Sequence, residues 1–86
     1  MNILFTEDSW KDYLFWQIND KRTLKKINDL IKAIQREPYQ GIGKPEPLKF
    51  QLQGCWSRRI DQEHRLVYQV QDEVLSIISC RFHTKS

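Results

Sequence analysis

The apolar positions of this chain change their period once, near residue 44. Before that point they recur at helical spacing, and after it they alternate. Asn2 to Phe5 is a short apolar run that reads as a strand. Thr6 is a good helix N-cap, and Glu7 and Asp8 then fall in the first turn, where acidic groups suit the positive end of the helix dipole. Trp10, Tyr13, Leu14 and Ile18 follow three or four residues apart, which predicts a first helix over about residues 7–19. Asn19 and Asp20 offer a second cap. Leu24, Ile27, Leu30, Ile31 and Ile34 form one apolar stripe, with Lys21, Arg22, Lys25, Lys26 and Lys32 elsewhere on the surface. Pro38 and Gly41 end it.

From Lys44 onward the period of two predicts four strands: Leu48 to Leu52, Trp56 to Ile60, Arg65 to Val70 and Val74 to Phe82. Gly54, the Asp61–Glu63 segment and Gln71–Asp72 supply the turns. The expected order is β-α-α-β-β-β-β, an α+β fold in which a helical hairpin packs on a mostly antiparallel, twisted sheet. No repeat, low-complexity tract or boundary interrupts the chain, so a single domain over residues 1–86 is expected.

Alternation also sorts side chains by face. Leu66, Tyr68 and Val70 share one face, and Arg65 lies on the other with Val67 and Gln69. Arg58 and Arg59 should point to opposite faces. In the last strand Arg81 and His83 should point one way, and Cys80 and Phe82 the other. A helical hairpin covers only one face, which leaves the other to carry Arg65 and His83.

Composition narrows the functional classes. A net charge of +3 and a pI near 9.0 favour a polyanionic partner such as nucleic acid. Four of the six arginines lie at or beyond Arg58, and their forks match phosphates bidentately. Two cysteines, Cys55 and Cys80, are too few for a disulfide scaffold and read as reduced thiols in or near the core. No leader-like segment and no apolar run of membrane-spanning length is present, so a cytoplasmic location away from membranes is expected. Ligand spacing for a metal is absent, as are a glycine-rich phosphate loop and a nucleophilic triad, so neither a metal nor another cofactor is expected.

The candidate chemistry starts at GKPEPLK (Gly43 to Lys49), where one carboxylate sits between two prolines and two lysines. Each proline fixes its own φ and pushes the preceding residue toward extended conformations, so Glu46 is held on a stiff segment. The ordinary role of such a glutamate is a solvated salt bridge with Lys44 or Lys49. The functional reading is a general base, since carboxylates are ionised at neutral pH. His83 is the matching acid: imidazole's reference pKa of ~6.5 lets it carry a proton near neutrality, although a histidine near a chain end is usually a surface group. Arg65 either pairs with Asp61 or Glu63 or stabilises charge building on a phosphorane; Arg59 and Lys49 would hold flanking phosphates. His64, beside a turn and with the parity of Leu66, reads as structural. A carboxylate base, a histidine acid and several arginines together point toward RNA phosphodiester cleavage.

The stretches SWKDYLFWQ, DKRTLKKIN, GIGKPEPLK, GCWSRRID, EHRLVYQV and SCRFH closely resemble the YoeB toxin family of the RelE-like superfamily, from about residue 1 to residue 83. The resemblance implies a RelE-like, microbial-ribonuclease-like sheet with a helical hairpin. It implies ribosome-dependent cleavage of messenger RNA in the A site, and a YefM-like antitoxin that wraps the toxin. A homodimer is implied by the family only. Carried over, Glu46 would be the general base, His83 the general acid and Arg65 the transition-state stabiliser, with Lys49 and Arg59 assisting on substrate phosphates. Thr84 departs from the family pattern, which has a tyrosine after the histidine. The alternative is a binding module acting through protein partners: either ParE-like, against which the presence of both Glu46 and His83 argues, or a catalytically weak toxin fold left by the altered C-terminus.

Overall fold

The computed structural model describes residues 1–82. Strand β1 (Asn2–Phe5) is followed by helix α1 (Glu7–Asn19) and helix α2 (Lys21–Arg36), with bounds that match the capping signals. The Thr6 hydroxyl accepts from the Ser9 amide at 3.1 Å. The Asp20 carboxylate accepts from the Arg22 and Thr23 amides at 3.1 and 3.2 Å. The Thr23 hydroxyl and amide, with help from Arg22, hold the Asp20 carboxyl below the ordinary aspartate range. Asp20 also closes α1, so one residue separates the helices and a tight hairpin is enforced. The Tyr13 hydroxyl donates to Asn28 across it at 2.8 Å.

Four strands complete the sheet: β2 (Glu46–Pro47), β3 (Trp56–Arg59), β4 (Arg65–Gln71) and β5 (Val74–Ser79). Their order is β1-β5-β4-β3-β2, with β1 parallel to β5 and every other pairing antiparallel. The first strand therefore lies beside the last, and the helical hairpin packs over one face. Ile27, Leu30, Ile31 and Ile34 of α2 and Trp16 of α1 meet Leu66, Tyr68, Leu75, Ile77 and Cys80 in one buried cluster. The Trp16 indole N–H donates to the Cys80 carbonyl at 2.8 Å, which satisfies the one polar group of the largest core ring.

Two strand predictions need correction. No strand forms over Leu48–Leu52; pairing occurs two residues earlier, in β2, and Phe50–Leu52 is a 3-10 turn. Prolines without an N–H restrict ladder formation, so Pro45 and Pro47 confine this segment to a two-residue pairing on the sheet edge. The Leu48 amide then donates to the Cys55 carbonyl at 2.9 Å, and the intervening residues coil rather than pair. The alternation of Leu48, Phe50 and Leu52 was misleading, because Phe50 takes φ +57° and is 77% exposed.

The last strand ends at Ser79 instead of reaching Phe82. Tyr68 faces Ile77 while the adjacent Val67 faces Ser79, so Ile78 is an extra residue in β5. Such a bulge shifts the parity that follows it. Cys80 thereby turns into the core with Leu75 and Ile77, which an uninterrupted strand would not allow. Arg81 does not join the face of Arg65: its guanidinium carbon lies 3.5 Å from the Phe15 ring centroid and 4.5 Å from that of Phe82.

Candidate active site

Arg58 and Arg59 separate to opposite faces, as alternation predicts. Arg58 pairs in register with Leu66 and is fully buried on the helix side. Its guanidinium donates to the carbonyls of Glu37 (2.6 Å), Gln40 (2.8 Å) and Ile42 (3.0 Å), and to the Tyr68 hydroxyl (3.2 Å). The Tyr68 hydroxyl donates onward to Pro38 at 2.6 Å. A single cation thus gathers the carbonyls beyond the end of α2, and burial pushes the Tyr68 phenol up despite the nearby charge. This residue is a structural pin for the loop that leads to the carboxylate.

That loop then turns through two glycines. Gly41 and Gly43 take φ +118° and +84°, in the region that side chains disfavour. A Cβ on Gly43 would sit 2.9 Å from Leu30 Cδ2 and 3.0 Å from Arg58 Cβ. The Gly43 carbonyl accepts from the Arg59 amide at 2.7 Å, just before Pro45 and Pro47 extend the chain as β2.

The register of β2, β3 and β4 now determines the site. Glu46 faces Ser57, Ser57 faces Val67, and Arg59 faces Arg65. These side chains share the sheet face away from Leu66 and Tyr68. That face is not bare, since Ser57 and Val67 are buried; it opens at Arg65 and Glu46. Arg65 Nη1 donates to Glu46 Oε1 at 2.9 Å and to Ser57 Oγ at 3.2 Å. The Arg65 side chain is 16% exposed and that of Glu46 55%, so the pair is a seated cation reaching out to a solvated carboxylate. Water reaches the carboxylate side of the pair and screens it, so its net contribution to stability is modest, about 1 kcal/mol. Its significance is geometric.

Arg59 is exposed beside Arg65 and, with Lys26 and Lys44, lines a surface cavity of about 330 Å³. None of these three cations forms an ion pair among the described residues. Lys49 is exposed at the N-cap of the 3-10 turn and has no side-chain hydrogen bond or ion pair among the described residues. His83 lies outside the described residues, as does Thr84. Of the five residues singled out by sequence, the fold thus joins Glu46 to Arg65, sets Arg59 beside them and leaves Lys49 on the surface.

Ser57 was missed by sequence reading. A small polar residue directly between Glu46 and Val67 in the ladder is recognisable only once the register is known. His64 is buried, as its parity suggested, and its ring meets the Trp16 ring edge-on with centroids 4.8 Å apart.

With this arrangement established, comparison with other proteins decides the family. A sequence model of the YoeB-like toxins of bacterial type II toxin–antitoxin systems matches residues 5–84. The chain belongs to that family. Toxin YoeB of Synechocystis sp. is 68% identical over 83 residues, which span 96% of each chain. A YoeB/ParE toxin from Agrobacterium tumefaciens superposes with a TM-score of 0.96 at 52% identity, covering 98% of this chain and all of that one. The toxin in a heterotetrameric YoeB–YefM complex from Staphylococcus aureus superposes with a TM-score of 0.91 at 50% identity, over 98% of both chains. This YoeB-like toxin accordingly has the α+β fold expected of its family, with Glu46 and Arg65 in contact on the sheet.

Proposed function

We propose that this toxin is a ribosome-dependent endoribonuclease that cuts messenger RNA in the A site. The observation that carries the reading is the Glu46–Arg65 contact at 2.9 Å, which joins a carboxylate to a phosphate-binding fork on an open part of the sheet. Glu46 would take the proton of a ribose 2′-hydroxyl, and the resulting alkoxide attacks the adjacent phosphorus. His83 would protonate the departing 5′-oxygen. The products would be a 2′,3′-cyclic phosphate, or the 3′-phosphate its hydrolysis leaves, and a free 5′-hydroxyl.

Arg65 suits the charge that builds on the phosphorane. Only Nη1 is engaged by Glu46 and Ser57 among the described residues, which leaves Nε and Nη2 without a protein acceptor there. The fork can therefore hold a phosphate while it still orients the base. Preorganised donors of this kind are each worth about 10²–10³ in rate. Arg59 and Lys49 would neutralise flanking phosphates, and a YefM-like antitoxin would be the inhibitory partner, as the S. aureus complex suggests.

Primer extension on a translating messenger tests the proposal, with wild type beside Glu46→Gln and His83→Gln. Cuts within codons are expected for wild type and their loss for both variants. Full cleavage by both variants would refute the assigned mechanism. Growth arrest with DNA damage and intact transcripts would instead favour a ParE-like binding module.

A further inference from the structure

We infer that His64 is a positioning residue: its Nδ1 and the Arg65 amide grip the two sides of Phe82 and so fix the chain where the proposed general acid begins. The inference rests on the cleavage mechanism proposed above for its consequence, but not for its geometry. The Phe82 amide donates to His64 Nδ1 at 2.7 Å. The Arg65 amide donates to the Phe82 carbonyl at 3.1 Å. His64, just before β4, and Arg65, its first residue, therefore hold both polar groups of Phe82, and Arg65 also carries the proposed phosphate-binding fork of the site.

The grip is made in a segment that ordinary strand pairing has abandoned. β5 ends at Ser79, and Phe82 takes φ +66°, a left-handed conformation that an aromatic residue rarely adopts. Such a conformation persists when its surroundings over-determine it. The surroundings are specific here. Arg81 lies between the Phe15 and Phe82 rings, and the His64 and Phe82 ring centroids are 5.5 Å apart.

His64 is itself fixed. Its amide donates to Asp61 Oδ1 at 2.7 Å, and its carbonyl accepts from the Ile60 and Asp61 amides at 3.0 and 3.3 Å. The Trp16 ring closes one side of the imidazole. Because Nδ1 accepts, the ring proton belongs on Nε2, which lies 3.4 Å from Glu63 Oε1. A simple packing histidine would need none of this polarity. The side chain supplies an acceptor at one position, aimed at the N–H of the Arg81–Phe82 peptide.

Three variants of the full-length toxin separate positioning from packing. His64→Asn keeps an acceptor at the δ position, His64→Gln moves it one atom outward, and His64→Leu removes it. Two readouts are taken on folded protein: hydrogen exchange of the Phe82 amide, and turnover on ribosome-bound messenger. The Leu variant is expected to lose Phe82 protection about tenfold or more and to lower kcat by roughly 10–100-fold with little change in KM, in line with the cost of a displacement on the order of 1 Å. The Asn variant should recover most of both, and Gln less. Unchanged Phe82 protection in His64→Leu overturns the inference, as does equal loss of turnover in Asn and Leu. If His64→Leu does not fold, the Asn and Gln variants decide by the same two criteria, and equal values for them overturn it. If wild type does not cut messenger at all, the proposed function fails, while Phe82 exchange still decides whether His64 makes the grip.

Discussion

Arg65 Nη1 lies 2.9 Å from Glu46 Oε1, and the same nitrogen reaches Ser57 Oγ at 3.2 Å, so one guanidinium edge fixes the carboxylate against β3. The contact links residues 19 positions apart through two strand pairings, β2 with β3 and β3 with β4. It gives the proposed base and the proposed phosphate ligand a shared geometry before substrate arrives.

Glu46→Gln is expected to lower messenger cleavage by at least about 10²-fold, the lower range for a lost general base. Its effect on unfolding should stay near or below ~1 kcal/mol, because the Glu46 side of the pair is solvated and the amide oxygen of the glutamine can still accept from Arg65. Single-turnover cleavage and thermal unfolding of the same preparation check both. A large loss of stability with normal cleavage would make Glu46 a structural residue.

Arg58→Met should behave in the opposite way. It strips hydrogen bonds from the Glu37, Gln40 and Ile42 carbonyls and from Tyr68, at an expected cost of about 2–4 kcal/mol. Denaturant unfolding measures this directly. A change under ~1 kcal/mol would show that water replaces the guanidinium at those carbonyls.

Gly43→Ala tests whether the loop before β2 has slack. The new methyl would press on Leu30 and Arg58 at a positive φ, so destabilisation of about 1–3 kcal/mol is expected. Displacement of the Gly43 carbonyl would also weaken its bond from the Arg59 amide, and exchange of that amide should quicken. Unaltered Arg59 exchange would mean that the strain is absorbed on the helix side.

The Cys80 thiol makes a pH prediction. Burial, with the Asp12 carboxylate adding to it, pushes this thiol from an ordinary 9.0 up to about 12. The unfolded chain gives up the proton from about pH 9 and the folded chain only near 12, so folding stability falls as pH rises across that interval and is insensitive to this group below it. Tyr68, also raised by burial, adds to the decline above pH 10. Cys80→Ala should make unfolding midpoints between pH 9 and pH 11 visibly flatter. Midpoints with the same slope as wild type would mean that the thiolate is tolerated in the fold. In the same range a thiol reagent should modify half-buried Cys55 well before Cys80.

Much of this was written in local pattern. Thr6 and Asp20 announce the helices they cap, and the stripe from Leu24 to Ile34 announces the face that α2 buries. Each rests on contacts within four residues, which a linear reading can follow. Parity placed Arg65 opposite Leu66 and Tyr68, and separated Arg58 from Arg59, because β3 and β4 are regular where those residues sit. It misled at Leu48–Leu52, where prolines and a left-handed Phe50 break the pairing, and beyond Ile78, where one extra residue reverses the faces.

The sequence by itself determined the order of elements, the helix ends, the carboxylate held between prolines and the family. Only the tertiary structure decided that Glu46 meets Arg65, that Ser57 shares the same guanidinium nitrogen, that Arg58 is a buried pin while Arg59 is exposed beside the cavity it lines with Lys26 and Lys44, and that His64 takes hold of Phe82. The physical reason is the range of the interactions. Caps and stripes are settled within one or two helical turns, whereas strand register, an edge pairing and a bulge each bring together residues that no local period relates.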